Sequence, residues 1–315
     1  MSARNPLAVA GRPPQRGLGR KLSTIERRNL RLGLIFISPW VIGFLAFLVY
    51  PILSSLYYSF TDYSGFGEAK WIGLSNYTRM VDDPNFWKSL GNTFYYTALA
   101  VPTGVVVAIV MALAMNQRLR EVGLYRAALY LPSVLPIFAL AFIFIWILNP
   151  RFGLVNHILN LLGFDSVDWL GDPTWAKLSI VLLAQLGAGQ YALVFLTSIR
   201  AIPQTLYDAA SIDGAGGWHS FRNVTLPLIT PIILYDIIIG IGLGLQVFTP
   251  AYVMTNGGPN NSTLFYILYL YRNAFRYGDM GYASAMGWIL LLISVMLAFA
   301  VFRTSRRWVH YEREV

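Results

Sequence analysis

The 315-residue sequence predicts an all-α integral membrane protein with six transmembrane helices and both termini in the cytoplasm. Three observations carry that expectation. The chain is 56% hydrophobic and only 12% charged, whereas soluble domains are roughly half apolar and about a quarter charged. Six apolar stretches are each long enough to cross a bilayer core about 30 Å thick, which takes about 20 helical residues. Lys and Arg concentrate in alternate connections between those stretches. Together these exclude an ordinary soluble enzyme and a disordered chain. The absence of Cys excludes a disulfide framework, a thiolate metal site and a Cys nucleophile. His157, His219 and His310 lie far apart in the chain, so no His-based metal site is expected.

Residues 1–33 are basic and rich in Pro and Gly, with no apolar signal core. They read as a disordered cytoplasmic tail, and the span that follows as an uncleaved anchor. The spans are expected at 34–59, 93–115, 127–148, 176–199, 228–254 and 281–302, so residues 34–302 form one transmembrane domain. Helix is preferred to strand because each run is long and unalternating, and a span must satisfy its own backbone hydrogen bonds. Residues 153–164 and 264–275 are too short to cross. They read as helices lying at the interface or folded back on the bundle. Residues 303–315 form a second cytoplasmic tail.

The tails and the connections after spans two and four hold 17 of the 24 Lys and Arg residues, and the other three connections hold six. Positive charge stays inside, which orients both termini and the loop 200–231 toward the cytoplasm. The outer connections carry acids instead, among them Asp82, Asp83, Asp165, Asp168 and Asp172. The net charge of +9 is thereby explained against anionic lipid, with no nucleic-acid partner. Aromatic residues such as Tyr57, Tyr58, Trp71 and Trp87 fall at the expected interfaces. No P-loop, G-x-S-x-G or H-E-x-x-H motif occurs. Any energy for active transport therefore comes from an ion gradient or a partner.

The loop 200–231 reads as a helix opened by Pro203, a turn at Gly214, Gly216 and Gly217, and a second short helix from 218 to 224 closed by Pro227. It carries Leu206, Ala209, Ala210, Ile212, Trp218 and Phe221 on the aqueous side. Two readings are open: a docking surface for a partner, or an amphipathic hairpin resting on lipid. Asp208-Ala209-Ala210, Asp213-Gly214-Ala215, Phe221, Leu226-Pro227 and Pro231 resemble the "EAA" loop of binding-protein-dependent ABC importer permeases. Leu90-Gly91-Asn92-Thr93-Phe94 resembles the start of that family's permease core, and the segment 252–263 and the stretch from Ala274 to Ala285 are similar to its sugar-transporting subset. The resemblance covers roughly residues 92–302 and implies a type I ABC importer permease core of the maltose-type first-permease kind.

The resemblance further implies that the loop docks on an ATPase dimer through Tyr207, Asp208, Ala209, Ala210, Asp213, Gly214, Ala215, Phe221, Leu226 and Pro227. It implies a second homologous permease and an extracytoplasmic sugar-binding protein as partners. ATP and Mg would sit on the ATPase, with no cofactor and no catalytic site in this chain. One departure stands out: the family's usual Glu is Asp208 here, one methylene shorter, so its contact would be longer or re-angled. By resemblance, residues 66–87 and 264–275 on the outer face would meet the loaded binding protein.

Spans four and five carry Gln185, Gly187, Gln190, Tyr191, Gln246, Phe248 and Tyr252. Amides and aromatic faces are what a sugar's hydroxyls and flat apolar side require. Each Gln taken alone also suits interhelical hydrogen bonding. Asp236 lies about 12 Å into span five, and a charge at that depth is costly. It either lines a pathway or pairs with another helix. Together these are the expected substrate-pathway residues. The alternative to an ATP-driven importer is a self-sufficient ion-coupled transporter using Asp236.

Overall fold

The computed structural model describes residues 23–117 and 121–310. It divides into two compact units, one ending at Ser54 and the other beginning at Ser55. Helix α1 runs from Thr24 to Tyr58. Its start is fixed by a capping box, in which Ser23 Oγ accepts from the Glu26 N–H and Glu26 Oε2 accepts from the Ser23 N–H at 2.7 Å. The expected tail 1–33 is thus helical from Thr24, and residues 1–22 lie outside the described residues. The helix buries none of its residues. Its apolar surface suits contact with lipid.

The second unit opens with a small antiparallel hairpin, β1 (Thr61–Asp62) and β2 (Lys70–Trp71), followed by α2 (Ser75–Asp82). Helix α3 (Pro84–Met115) starts nine residues before the expected span. The Asp83 side chain caps it, and Pro84 at the first position loses no hydrogen bond there. The bundle continues with α4 (Val122–Val134), α5 (Ile137–Ile147), α6 (Leu154–Leu161), α7 (Pro173–Gln185) and α8 (Ala188–Ala201). The remaining helices are α9 (Gln204–Ile212), α10 (Gly217–Leu228), α11 (Thr230–Leu245), α12 (Tyr266–Tyr271) and α13 (Met280–Ser305).

Three helices, α1, α3 and α13, are each long and apolar enough to cross a membrane. Three bent pairs meet the same test together, giving up to six spans: α4 with α5 at 98°, α7 with α8 at 45°, and α10 with α11 at 64°. Proline accounts for the sharpest bend. Leu135 precedes Pro136 and is extended (ψ 139°), as a residue before proline prefers. Gly187 sits at the α7–α8 break.

Span five is not the single helix expected over 228–254. It stops at Leu245, and the chain is irregular at 246–248 before one π-helical turn over Ala251–Thr255. The cause is Pro250, which has no N–H for the Gln246 carbonyl and whose ring would strike it in a continuous helix. Pro227 is also a correction. It does not close the second loop helix, because a π-helical turn at Phe221–Thr225 takes up its missing bond and α10 runs on to Leu228.

Helix α3 is the axis of the second unit and packs on α7, α8, α11 and α12. One buried cluster gathers Phe265, Tyr266, Tyr282 and Met286 near its first half. A second gathers Ala108, Met115, Phe195 and Ile229 near its last turns. The segment 264–275 is folded back into the first cluster, since Leu264, Phe265, Tyr266 and Leu268 are all at most 1% exposed. It is therefore core for most of its length, and of its large apolar side chains only Phe275 is fully open. Of the two placements expected for it, the segment takes the folded-back one.

Candidate functional site

The α9–α10 hairpin is built by its turn. Gly214 adopts φ +78°, a left-handed conformation that side-chain-bearing residues avoid. The Ala215 N–H then reaches Ala210 O at 2.9 Å and the Gly214 N–H reaches Ser211 O at 3.1 Å. That pair of bonds is a Schellman motif, which satisfies the last carbonyls of α9 and turns the chain into α10. Tyr207 and Thr225 hydroxyls meet at 2.9 Å and tie the two helices together.

Asp208, Ala209, Asp213 and Gly214 are exposed, as are Leu206, Ile212 and Trp218. A recess of about 500 Å³ lies between the helices, with Ala209, Ala210, Asp213, Gly214 and Ala215 on its wall. The Asp208 carboxylate accepts from the Gln204 amide at 3.2 Å. Phe221 lies on the other side of α10, against a larger cavity, and Leu226 and Pro227 lead into the bend at Ile229. Ile229 is fully buried. Thr230 Oγ1 donates to Pro227 O at 2.6 Å and accepts from the His310 N–H at 2.9 Å, which secures the joint between α10 and α11.

Inside the bundle, a second cavity of about 500 Å³ opens between α3, α7, α8 and α11. It brings together Gln185, Gly187, Gln190, Tyr191, Asp236, Gln246 and Phe248. Tyr252 does not line it, although its ring stacks on Phe248 at 5.4 Å. Gln185 donates to Val181 O at 2.9 Å, and its Oε1 has no partner among the described residues. Asp236 is 6% exposed and forms no ion pair among the described residues. Among the described residues, none of those on the cavity wall is Lys or Arg.

The third wall of the cavity comes from Tyr96, Ala100 and Gly104 of α3, which sequence reasoning missed. Their spacing of four residues puts them on one helix face, and that spacing was the available signal.

At the far end of α3, Asp83 accepts hydrogen bonds from Tyr269 Oη at 2.6 Å and Tyr282 Oη at 2.7 Å. Burial pushes this carboxyl up, but those two bonds and the Asn85 and Phe86 N–H groups outweigh it and hold Asp83 below the usual carboxylate range. Arg79 pairs with Asp279 and lies over the Tyr282 ring. Nearby, Asn92 donates to Asn261 O at 2.9 Å and Leu264 O at 3.1 Å, Lys88 donates to Asn260 O, and Thr93 Oγ1 accepts from the Tyr266 N–H. These bonds fasten the segment 260–266 to α3.

Residues 104–310 match the family described as "Binding-protein-dependent transport system inner membrane component". The chain is 39% identical over 298 residues to "Probable ABC transporter permease protein YesP" of Bacillus subtilis, covering 93% of this chain and 96% of that one. It is 34% identical over 278 residues to "Sulfoquinovosyl glycerol transport system permease protein SmoG" of Agrobacterium fabrum, covering 87% and 90%. A solved structure of a bacterial alginate ABC transporter, in complex with an alginate pentasaccharide-bound periplasmic protein, superposes with a TM-score of 0.78. That match is at 25% identity and covers 89% of this chain and 96% of the other.

Proposed function

The chain belongs to the family of binding-protein-dependent transport system inner membrane components, and from that premise we propose that it is a permease subunit of an ATP-driven importer for a sugar or polyol. It forms half of the translocation pathway and has no ATPase site of its own. One observation carries the reading. The bent pair α10–α11 joins an exposed hairpin at one end to the wall of the polar and aromatic cavity at the other. Movement imposed on Asp208–Ala215 by a partner is passed through the secured joint at Ile229 to Asp236 and Gln246. The names of the relatives, and the periplasmic protein seated on the alginate transporter, support a carbohydrate substrate and an extracytoplasmic binding protein. An ABC ATPase dimer, with ATP and Mg, supplies the energy. A second permease completes the pathway, because one hairpin serves one of the two ATPase subunits.

Purification of the tagged protein from native membranes tests this. The wild type should bring down an ATPase and a second permease. Gly214→Pro, which cannot reach φ +78°, should lose the ATPase while remaining in the membrane. Wild type recovered alone and moving solute without ATP would refute the importer and turn attention to Asp236 as an ion-coupling group.

A further inference from the structure

Beside the central cavity lies a separate recess of about 310 Å³, lined by Tyr252, Asn256, Tyr271, Arg272, Phe275 and Arg276. Spacings of four residues build its walls. Phe248, Tyr252 and Asn256 form one column in the turns after α11. Tyr271 with Phe275, and Arg272 with Arg276, form two adjacent columns on the continuation of α12. The rings make an unbroken chain. Phe248 and Tyr252 stack at 5.4 Å, Tyr252 meets Tyr271 at 5.8 Å, and Tyr271 meets Phe275 at 5.2 Å.

Phe248 also lines the central cavity, so the aromatic chain leads from that cavity into the recess. These rings are not a buried core, because Tyr252 is 45% exposed and Phe275 68%. Arg272 is held in place by Asn256 O at 2.6 Å. No carboxylate pairs with Arg272 or Arg276 among the described residues.

We propose that this recess is a second saccharide subsite and that its ligand is an oligosaccharide bearing a carboxylate. The inference rests on the transport reading above. The apolar face of a sugar ring stacks on exposed aromatic rings, and a chain of such rings holds several sugar units rather than one. Two uncompensated guanidinium groups beside that chain select a carboxylate, which they bind through charge-assisted and often bidentate hydrogen bonds. The opposite charge deeper in the central cavity, on Asp236, gives the ligand a direction. Uncharged units face inward, and the acidic unit stays at the arginines.

Titration of the assembled transporter in lipid nanodiscs tests this, using uronate trisaccharides and their methyl esters. The esters keep the ring shape and lose the charge. At least one uronate should bind, with its ester about tenfold weaker. Arg276→Gln, at an exposed position, should weaken the uronate about tenfold and leave the ester unchanged, whereas Phe275→Ala should weaken both. Equal binding of acid and ester, binding of neither, or an equal effect of Arg276→Gln on both overturns the proposal. ATP-dependent uptake of neutral sugars alone would also overturn it and leave the transport reading standing. Wild type that takes up no saccharide with ATP would instead overturn the transport reading itself.

Discussion

Asp83 shows how much of this molecule depends on single side chains brought together from distant parts of the sequence. One carboxylate caps α3 and also receives two tyrosine hydroxyls, from Tyr269 and Tyr282. Hydrogen bonds to a charged group contribute about 1.5–3 kcal/mol each when well buried, and less here because Asp83 is only half-buried. Asp83→Asn is expected to lower the melting temperature of the solubilised protein at pH 7, by about 1–3 kcal/mol in stability. The sign of the pH dependence follows from the depressed pKa. The contribution is complete above the ordinary carboxylate value of 3.8 and is lost as pH falls below it toward the native value. The difference between wild type and variant should therefore shrink in melts taken below about pH 3.8, and a gap that widens there would contradict this account. Nothing in the sequence announced the cluster, because its partners lie 186 and 199 residues from Asp83. Asp236 was conspicuous for the opposite reason, as a lone charge in an apolar run.

At the scale of elements, the sequence marked spans by hydropathy but not their shape. Pro136 and Pro250 are visible in it, yet proline permits anything from a slight kink to the 98° bend seen between α4 and α5. Neighbouring helices decide which. The same contacts explain why seven of the eight expected pathway residues meet in one cavity while Tyr252 stands outside it. A break at 246–248 changes every side-chain direction that follows. Close approach of helices is testable at Gly189 of α8. A Cβ there would lie 2.8 Å from Leu129 O and 3.2 Å from Tyr130 Cα of α4, both backbone atoms that cannot rotate away. Gly189→Ala should separate α4 from α8 and cost about 1–3 kcal/mol in thermal stability. An unchanged melt would show that the two helices have room to spare.

For the whole molecule, the alternation of Lys and Arg predicts an orientation, and the chain offers a clean way to check it. It contains no Cys, so any single introduced thiol is the only one present. Cys placed at Ser23 or Asp213 should react with a membrane-impermeant maleimide only in inverted vesicles, and Cys at Ser166 only from outside. The reverse pattern at any of the three would overturn the predicted topology. The fastening of the segment 260–266 to α3 has a consequence of another kind. Lys88 and Asn92 of α3 donate to main-chain carbonyls of Asn260, Asn261 and Leu264, which every residue type supplies, and the Asn261 amide adds one side-chain bond to Asn85 Oδ1. Constraint during evolution is therefore of two kinds. Lys88 and Asn92 resist replacement for the hydrogen bonds they donate, while Leu264, Phe265 and Tyr266 of the fastened segment resist it for the core they fill.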